Sequence, residues 1–466
     1  MDSISTAILL LLLALVCLLL TLSSRDKRKL PPGPRPLPLL GNLLLLRSQN
    51  MLTSLTQLSK EYGSVYTVHL GPRRVVVLSG YQAVKEALVD QGEEFSGRGD
   101  YPVFFNFTKG NGKHRLLQWD RWKKHEERIL EEAASAGRAA KTEGEPFDPT
   151  FVLSRSVSNI ICSVLFGSRF DYDDERLLTV IRLINDNFQI MSSPWGELYN
   201  IFPSLLDWVP GPHQRIFQNF KRLRDLIAHS VHDHQASLDP RSPRDFIDCF
   251  LTKTAEEKED PLSHFHMDTL LMTTHNLLFG GTETVGTTLR HAFLALMKYP
   301  KVQARVQEEI DLVVGRTRLP TLEDRAAMPY TDAVIHEVQR FADIIPMNLP
   351  HRVIRDTAFR GFLIPKVPGH RFIITLLNTV HYDPAVLTPR ITSSYLTTAP
   401  HPATPAGRRL CLGESLARME LFLYLTAILQ SFSLQPLGAP EDIDLTPLSS
   451  GLGNLPRPFQ LCLCPR

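Results

Sequence analysis

Six cysteines occur in the 466 residues, and one of them, Cys411, sits where a thiolate ligand could be built. It lies in Gly407-Arg408-Arg409-Leu410-Cys411-Leu412-Gly413-Glu414, and an apolar helical run from Ser415 to Phe432 follows. Glycines four residues before and two after the cysteine let the backbone approach something flat and bulky. A helix N-terminus favours the thiolate over the thiol, and Arg409 adds positive charge two residues away. The same spacing also suits a buried structural cysteine ahead of a core helix. Cys17, Cys162, Cys249, Cys462 and Cys464 are scattered, with no zinc-type pair of pairs and no secreted disulfide pattern. The body of the chain therefore reads as belonging to a reducing compartment.

Two further constellations carry chemistry. Gly280-Gly281-Thr282-Glu283-Thr284 falls inside a long helical run. Glycines and hydroxyl residues are locally unfavourable there, and they can open the hydrogen-bond ladder and leave room for a ligand and water. A threonine beside a glutamate at such a place can relay protons. The plainer alternative is a helix-packing notch. In Glu337-Val338-Gln339-Arg340 the two charged residues share a helical face with Ala333 and Phe341. Buried on that stripe they must pair, whereas an exposed ion pair is the common outcome for this spacing. His229, His232 and His234 show helical metal spacing, but no carboxylate or cysteine framework stands beside them in the sequence.

The elements that must position these residues are mostly helical, with a minor β part. Val65 to Leu70, Gly71-Pro72 and Val75 to Leu78 predict a hairpin. Val302, Val306, Ile310 and Val313 mark one helical face, stopped by Gly315. Phe151 to Phe166 and Leu270 to Met297 predict long helices, read as too polar for further membrane spans, and Phe459 to Cys464 alternates as a strand. No Gly-x-Gly-x-x-Gly opens a helix after a strand, because Gly97-Arg98-Gly99 and Gly451-Leu452-Gly453 both lack the third glycine. A nicotinamide domain within this chain is thereby disfavoured, and reducing electrons would come from a partner. A net charge of +2 leaves no nucleic-acid footprint.

Ser3 to Leu22 is uncharged and rich in leucine, long enough to span a bilayer core. Asp2 replaces a basic n-region, no small-x-small cleavage site follows, and Arg25, Lys27, Arg28 and Lys29 come next, so a retained anchor is favoured over a cleaved signal peptide. Positive charge stays cytosolic, which puts the N-terminus in the lumen and the body in the cytosol. Leu30 to Pro38 then forms a stiff, proline-rich spacer. The sequon Asn106-Phe107-Thr108 should stay unused in a cytosolic body.

Taken in order, the proline-rich hinge, the Gly-Gly-Thr-Glu-Thr helix, the Glu-x-x-Arg helix and the cysteine loop resemble a cytochrome P-450 of the microsomal family two, closest to subfamily F. The resemblance implies a cytochrome P-450 fold behind an N-terminal transmembrane helix. Residues 1–24 would form the signal anchor, 25–41 the basic and proline-rich hinge and 42–466 the haem-binding monooxygenase domain. It implies haem iron held by Cys411, with Gly407 and Gly413 beside it. Arg409, His351 in Pro350-His351-Arg352, and Trp122 would contact the propionate side of the haem. Thr284 would support proton delivery with Glu283 beside it, and Glu337 and Arg340 would brace the proximal side. The implied reaction inserts one oxygen atom of O₂ into a small lipophilic, xenobiotic-type substrate, the other atom leaving as water. Thiolate ligation favours O–O cleavage. Electrons would come from NADPH through cytochrome P-450 reductase, with cytochrome b5 a candidate second partner, at the endoplasmic-reticulum membrane. Candidate pocket residues lie around Phe104, Phe105 and Phe107, around Phe188, along Asn276 to Thr284 and around Ile345 to Leu349, with ordinary core the alternative for each phenylalanine.

The chain departs from the family in patches. Thr404 stands where the cysteine loop normally begins with phenylalanine. Pro384 to Ala406 is short, with no phenylalanine between Phe372 and Phe422. Glu126 stands where a Trp-x-x-x-Arg helix starting at Trp122 would carry arginine, and Ala133 to Ala140 reads as filler rather than core. These patches imply weak haem retention and low stability. They keep open a catalytically impaired or haem-free relative (a decayed or mis-spliced copy), or a membrane-tethered interaction protein.

Overall fold

The computed structural model describes residues 30–46, 51–99, 102–103, 122–139, 145–366, 372–377 and 411–466. The predicted anchor, the aromatic stretch 104–107 and the altered segment 384–406 lie outside the described residues. So do Gly407 and Arg409.

Helices dominate. In chain order they are α1 (Met51–Tyr62), α2 (Tyr81–Lys85), α3 (Trp122–Ala139), α4 (Pro149–Phe166), α5 (Glu175–Met191), α6 (Pro194–Ile201) and α7 (Pro203–Leu206). There follow α8 (His213–Ala236), α9 (Phe246–Glu256), α10 (Met267–Lys298), α11 (Pro300–Val313), α12 (Pro329–Ala342) and α13 (Glu414–Ser431). Their boundaries follow ordinary local chemistry. Asp148 caps α4 by accepting the Thr150 N–H, Pro149 takes the first turn, and Gly167 closes the helix at φ 75°. Gly315, at φ 76°, follows α11 where the sequence placed its stop.

The largest core joins α3, α4, α10, α11, α12 and α13 through Ile129, Val157, Leu289, Ile310, Val338 and Phe422. α13 is apolar around most of its circumference and is correspondingly buried from Met419 to Thr426 and from Ile428 to Gln430. α4 is long and apolar enough to cross a membrane, against the reading that it is too polar. Its burial against α3 and α10, rather than its polarity, makes it a core helix.

Ala133 and Ala136 correct a second expectation. They are 1% and 2% exposed within this core, so these two positions of the stretch read as filler are packing surface. A side chain at Gly137 would meet the Phe432 ring at 3.0 Å. Small residues are required there because α3 lies close to the end of α13.

A five-stranded sheet flanks the helices. β1 (Val65–Leu70) and β2 (Arg73–Ser79) form the predicted hairpin, turning at Gly71 with φ 58°. The other members are β3 (Gly97–Arg98), β4 (His351–Arg352) and β7 (Phe372–Leu377), separated in the chain by the small hairpin β5 (Thr357–Phe359) and β6 (Phe362–Ile364). The order is β1-β2-β7-β4-β3, with β7 parallel to β2 and β4 antiparallel to β7. The parallel pair requires a long crossover, and nearly the whole helical body forms it. Near the C-terminus β8 (Phe432–Pro436) pairs with β11 (Leu461–Pro465), and β9 (Ser449–Ser450) with β10 (Asn454–Leu455).

Candidate active site

Cys411 precedes α13, whose N-cap is Gly413. The residue is exposed, while α13 behind it is core. Burial of the thiol by surrounding protein raises its pKa, a backbone hydrogen bond from Gly413 opposes that, and Glu414 adds to the rise. Around Gly413 no described atom lies within 4 Å of where a side chain would begin.

α10 runs unbroken through Gly280–Thr284, so the predicted opening of its hydrogen-bond ladder does not occur. The two glycines do different work. Gly281 is a packing notch, since a Cβ there would lie 2.9 Å from Ile161 of α4. Gly280 is exposed and faces open space. The room on this helix thus comes from a missing side chain. One turn on, the Thr284 hydroxyl donates to the Gly280 carbonyl at 2.6 Å. Glu283 is buried, its Oε1 has no hydrogen-bond partner among the described residues, and burial lifts its pKa to about 7 against the pull of Arg290. A carboxyl poised near neutrality can take up and give back a proton at working pH.

His351 is 1% exposed on β4. Its Nδ1 lies 2.8 Å from the Phe95 carbonyl and its Nε2 lies 3.1 Å from Arg98 Nη1. A guanidinium only donates, so Nε2 accepts and Nδ1 carries the proton. The neutral ring thus orients Arg98, a cation that sequence reading missed. The signal was weak: Arg98 stood between two glycines, and its partner is 253 residues away. His351 thus positions the Arg98 guanidinium at this edge of the sheet.

Glu337 and Arg340 form a buried bidentate pair on α12, with Arg340 Nε to Oε2 and Nη2 to Oε1 both 2.6 Å. The alternative of an exposed pair is excluded. Asp343, just beyond, adopts the left-handed conformation at φ 38° and is pushed up to about 7 by burial, opposed by Arg340. Trp122 begins α3 as the spacing implied. Glu126 Oε1 accepts the Leu322 N–H at 2.9 Å, at the start of the 3₁₀ turn Leu322–Ala327, as a tertiary cap.

Among pocket candidates, Phe188 is 2% exposed, and it packs edge-on against Phe279 with centroids 6.2 Å apart. Ile344 and Leu349 join the same cluster. The α5, α10 and post-α12 segments therefore converge as expected, with Phe188 itself in the core role. The histidine triplet is also resolved. His234 does meet carboxylates, Asp245 at 2.8 Å with Asp248 nearby, although the sequence suggested none. Its other nitrogen faces the Ser230 carbonyl at 2.7 Å, while Arg244 holds Asp248. Every ligand atom is thereby committed to an ion-pair cluster, and the hydrogen bond to Asp245 raises the His234 pKa against the opposing effect of burial.

A family model described as Cytochrome P450 matches residues 31–388 and 405–463. Its gap falls inside the segment already singled out as short. The chain is 82% identical to human Cytochrome P450 2F1 over 495 aligned residues, covering 100% of both chains. It is 73% identical to Cytochrome P450 2F3 of Capra hircus over 492, covering 99% of each. It is 48% identical to rabbit (Oryctolagus cuniculus) Cytochrome P450 2A10 over 467, covering 94% of each. The longer alignments exceed the chain in length, so those relatives carry residues this chain lacks. A cysteine ahead of a core helix, an open glycine on the longest helix and a buried Glu-x-x-Arg pair coincide with a family match over most of the length, and the chain belongs to the cytochrome P450 family, in its microsomal family two, subfamily F.

Proposed function

We propose that this cytochrome P450 monooxygenase holds its haem through Cys411 and oxidises small lipophilic foreign compounds, with electrons passed from NADPH by cytochrome P450 reductase and cytochrome b5 as a second donor. The observation that carries this reading is the exposed Cys411 at the start of α13, on a chain whose long central helix leaves Gly280 open. These residues fit a flat group: the glycines lack the side chains that would fill its place, and a soft sulfur donor suits iron. When bound, the haem supplies activation of dioxygen, and its thiolate ligand favours O–O cleavage. Everything else is work for the chain. Arg98, oriented by His351, and Arg409 meet the anionic edge of the haem. Thr284 holds a proton at Oγ1 and Glu283 exchanges one near neutral pH. Apolar residues around Phe279 and Leu349 exclude water and favour an apolar guest. Glu337 and Arg340 neutralise each other in the buried face of α12, on the side read as proximal.

In this reading residues 1–24 anchor the chain, 25–41 hold it off the bilayer, and 42–466 form the catalytic body on the cytosolic face of the endoplasmic reticulum. The test is the carbon-monoxide spectrum of the reduced, purified protein, followed by NADPH-dependent turnover with added reductase. A thiolate-type band with product formation is expected. A protein that takes up no haem would overturn the reading and favour the interaction-protein alternative.

A further inference from the structure

The last carbonyls of a helix find no partner within it, and at the end of α12 one residue of β10 takes them. Asn454, 1% exposed, donates through Nδ2 to the Ala342 carbonyl at 3.2 Å and to the Asp343 carbonyl at 2.8 Å. Carbonyls only accept, so the amide nitrogen is the atom that faces α12. The Asn454 backbone N–H donates to the next carbonyl, that of Ile344, at 2.9 Å. Its own carbonyl accepts from Nε2 of His291 on α10 at 3.2 Å. His291 lies seven residues after Thr284, two helical turns, and so on the same face of α10.

The segment that Asn454 holds needs holding. Asp343 at φ 38° and Asn348 at φ 53° both lie in the left-handed region without being glycine. Such residues persist where their surroundings fix them. Ile344 between them and Leu349 just beyond join the apolar cluster of Phe188 and Leu452. The turn before Asn454 is itself seated on the end of α5. The Gly453 N–H donates to Ser192 Oγ at 3.0 Å. A Cβ on Gly453 would lie 2.4 Å from the Phe188 ring, and one on Gly451 2.4 Å from the Ser192 carbonyl oxygen.

We propose that Asn454 is a positioning residue for the oxidation: it clamps the segment Ile344 to Leu349 to the face of α10 that carries Thr284, and thereby sets which carbon of a guest is oxidised. It acts through that segment and not by touching the guest. One side chain and its backbone hold three successive carbonyls on one side and α10 on the other, so loosening Asn454 lets the segment shift relative to Thr284. The consequence for oxidation rests on the pocket proposed above, whereas the clamp itself does not.

Asn454→Leu keeps the size of the side chain and removes its donors. Amide hydrogen exchange in the full-length protein reads the clamp. The proportions of hexan-1-ol, hexan-2-ol and hexan-3-ol formed from n-hexane with added reductase read its consequence. Exchange across residues 344–349 should quicken at least about tenfold while α11 keeps its rate, and the alcohol proportions should shift at least about threefold. Proportions of products from one substrate do not depend on how much enzyme is folded. Ile310→Val, a destabilising core change on α11, should therefore keep the wild-type proportions. Should Asn454→Leu not fold, Asn454→Ser retains one shorter donor and should shift both readings part of the way. Wild-type proportions in a folded Asn454 variant overturn the proposal, as does wild-type exchange across 344–349. So does an equal shift in Ile310→Val. Exchange needs no haem, so it decides the clamp even where the carbon-monoxide spectrum fails, and the two failures stay distinct.

Discussion

Cys411 and Thr284 stood out because their neighbours in sequence are also their neighbours in space. A cysteine two residues before Gly413 and an apolar run, and a threonine one turn after Gly280, are local patterns that the start and the body of a helix preserve. Arg98 and Asn454 were not legible, since each meets its partner from far along the chain: His351 lies 253 residues from Arg98, and Asp343 lies 111 from Asn454. Cys411→Ala should abolish the thiolate-type spectrum, while Cys162→Ala and Cys249→Ala leave it intact; a thiolate band surviving in Cys411→Ala would sink the assignment. Thr284→Ala separates chemistry from structure. Its hydroxyl is bonded back to Gly280, an arrangement that gives a helix little, and alanine is the better helix former by roughly 0.5 kcal/mol. Stability should therefore hold or rise slightly, while product formed per NADPH consumed falls and peroxide rises. Unchanged product yield would remove Thr284 from proton delivery.

Helix positions were largely readable from apolar period and stop signals, as α11 before Gly315 and α13 after the cysteine loop illustrate. Misreadings arose where tertiary contact decides a residue's value. Ala133 and Ala136 carry no periodic signal of their own, yet they sit where α3 meets α13. Glu126 looked misplaced by analogy and instead caps a remote turn. On α12 the Glu337–Arg340 pair is buried on both sides. Arg340→Ala strands the carboxylate and should cost about 3–5 kcal/mol in denaturant unfolding. A loss below about 1 kcal/mol would mean that Glu337 finds water or another donor. At the α8–α9 junction, His234 gains a partner in Asp245, which also caps α9. Its folded pKa is raised above the unfolded value of about 6.5, so its stabilising contribution is complete below that pH and fades as pH rises through the folded value. His234→Gln should therefore destabilise the protein more at pH 6 than at pH 9; an equal loss at both would show that packing, not charge, matters there.

At the scale of the whole molecule, two apolar outcrops converge although they are far apart in sequence. The segment before α1 exposes Leu37, Leu39, Leu40, Leu44 and Leu45, and the α6–α8 region exposes Trp195, Leu198, Leu205 and Trp208, the last at 88%. Gly71 joins them. Its N–H donates to the Leu40 carbonyl, and a side chain on it would collide with Phe202 and Ile201. Hydropathy along the chain marks Ser3 to Leu22 because those residues are contiguous, but it cannot mark a patch assembled from two segments by folding. Contiguous exposed apolar surface of this kind marks contact with another apolar phase. The hinge would hold the first outcrop near the bilayer, so the lipid surface is the natural partner of both. Deleting residues 1–22 should therefore release the body from integral association yet leave it bound to liposomes. Binding should survive high salt, since a net charge of +2 gives electrostatics little part, and Trp208 fluorescence should shift to the blue on contact. Replacing Leu39, Leu44, Leu205 and Trp208 together by serine should free the truncated protein without lowering its thermal stability, because these side chains contribute little to the core. A truncated protein that floats free of liposomes at low salt, with Trp208 unchanged, would confine membrane attachment to the N-terminal segment.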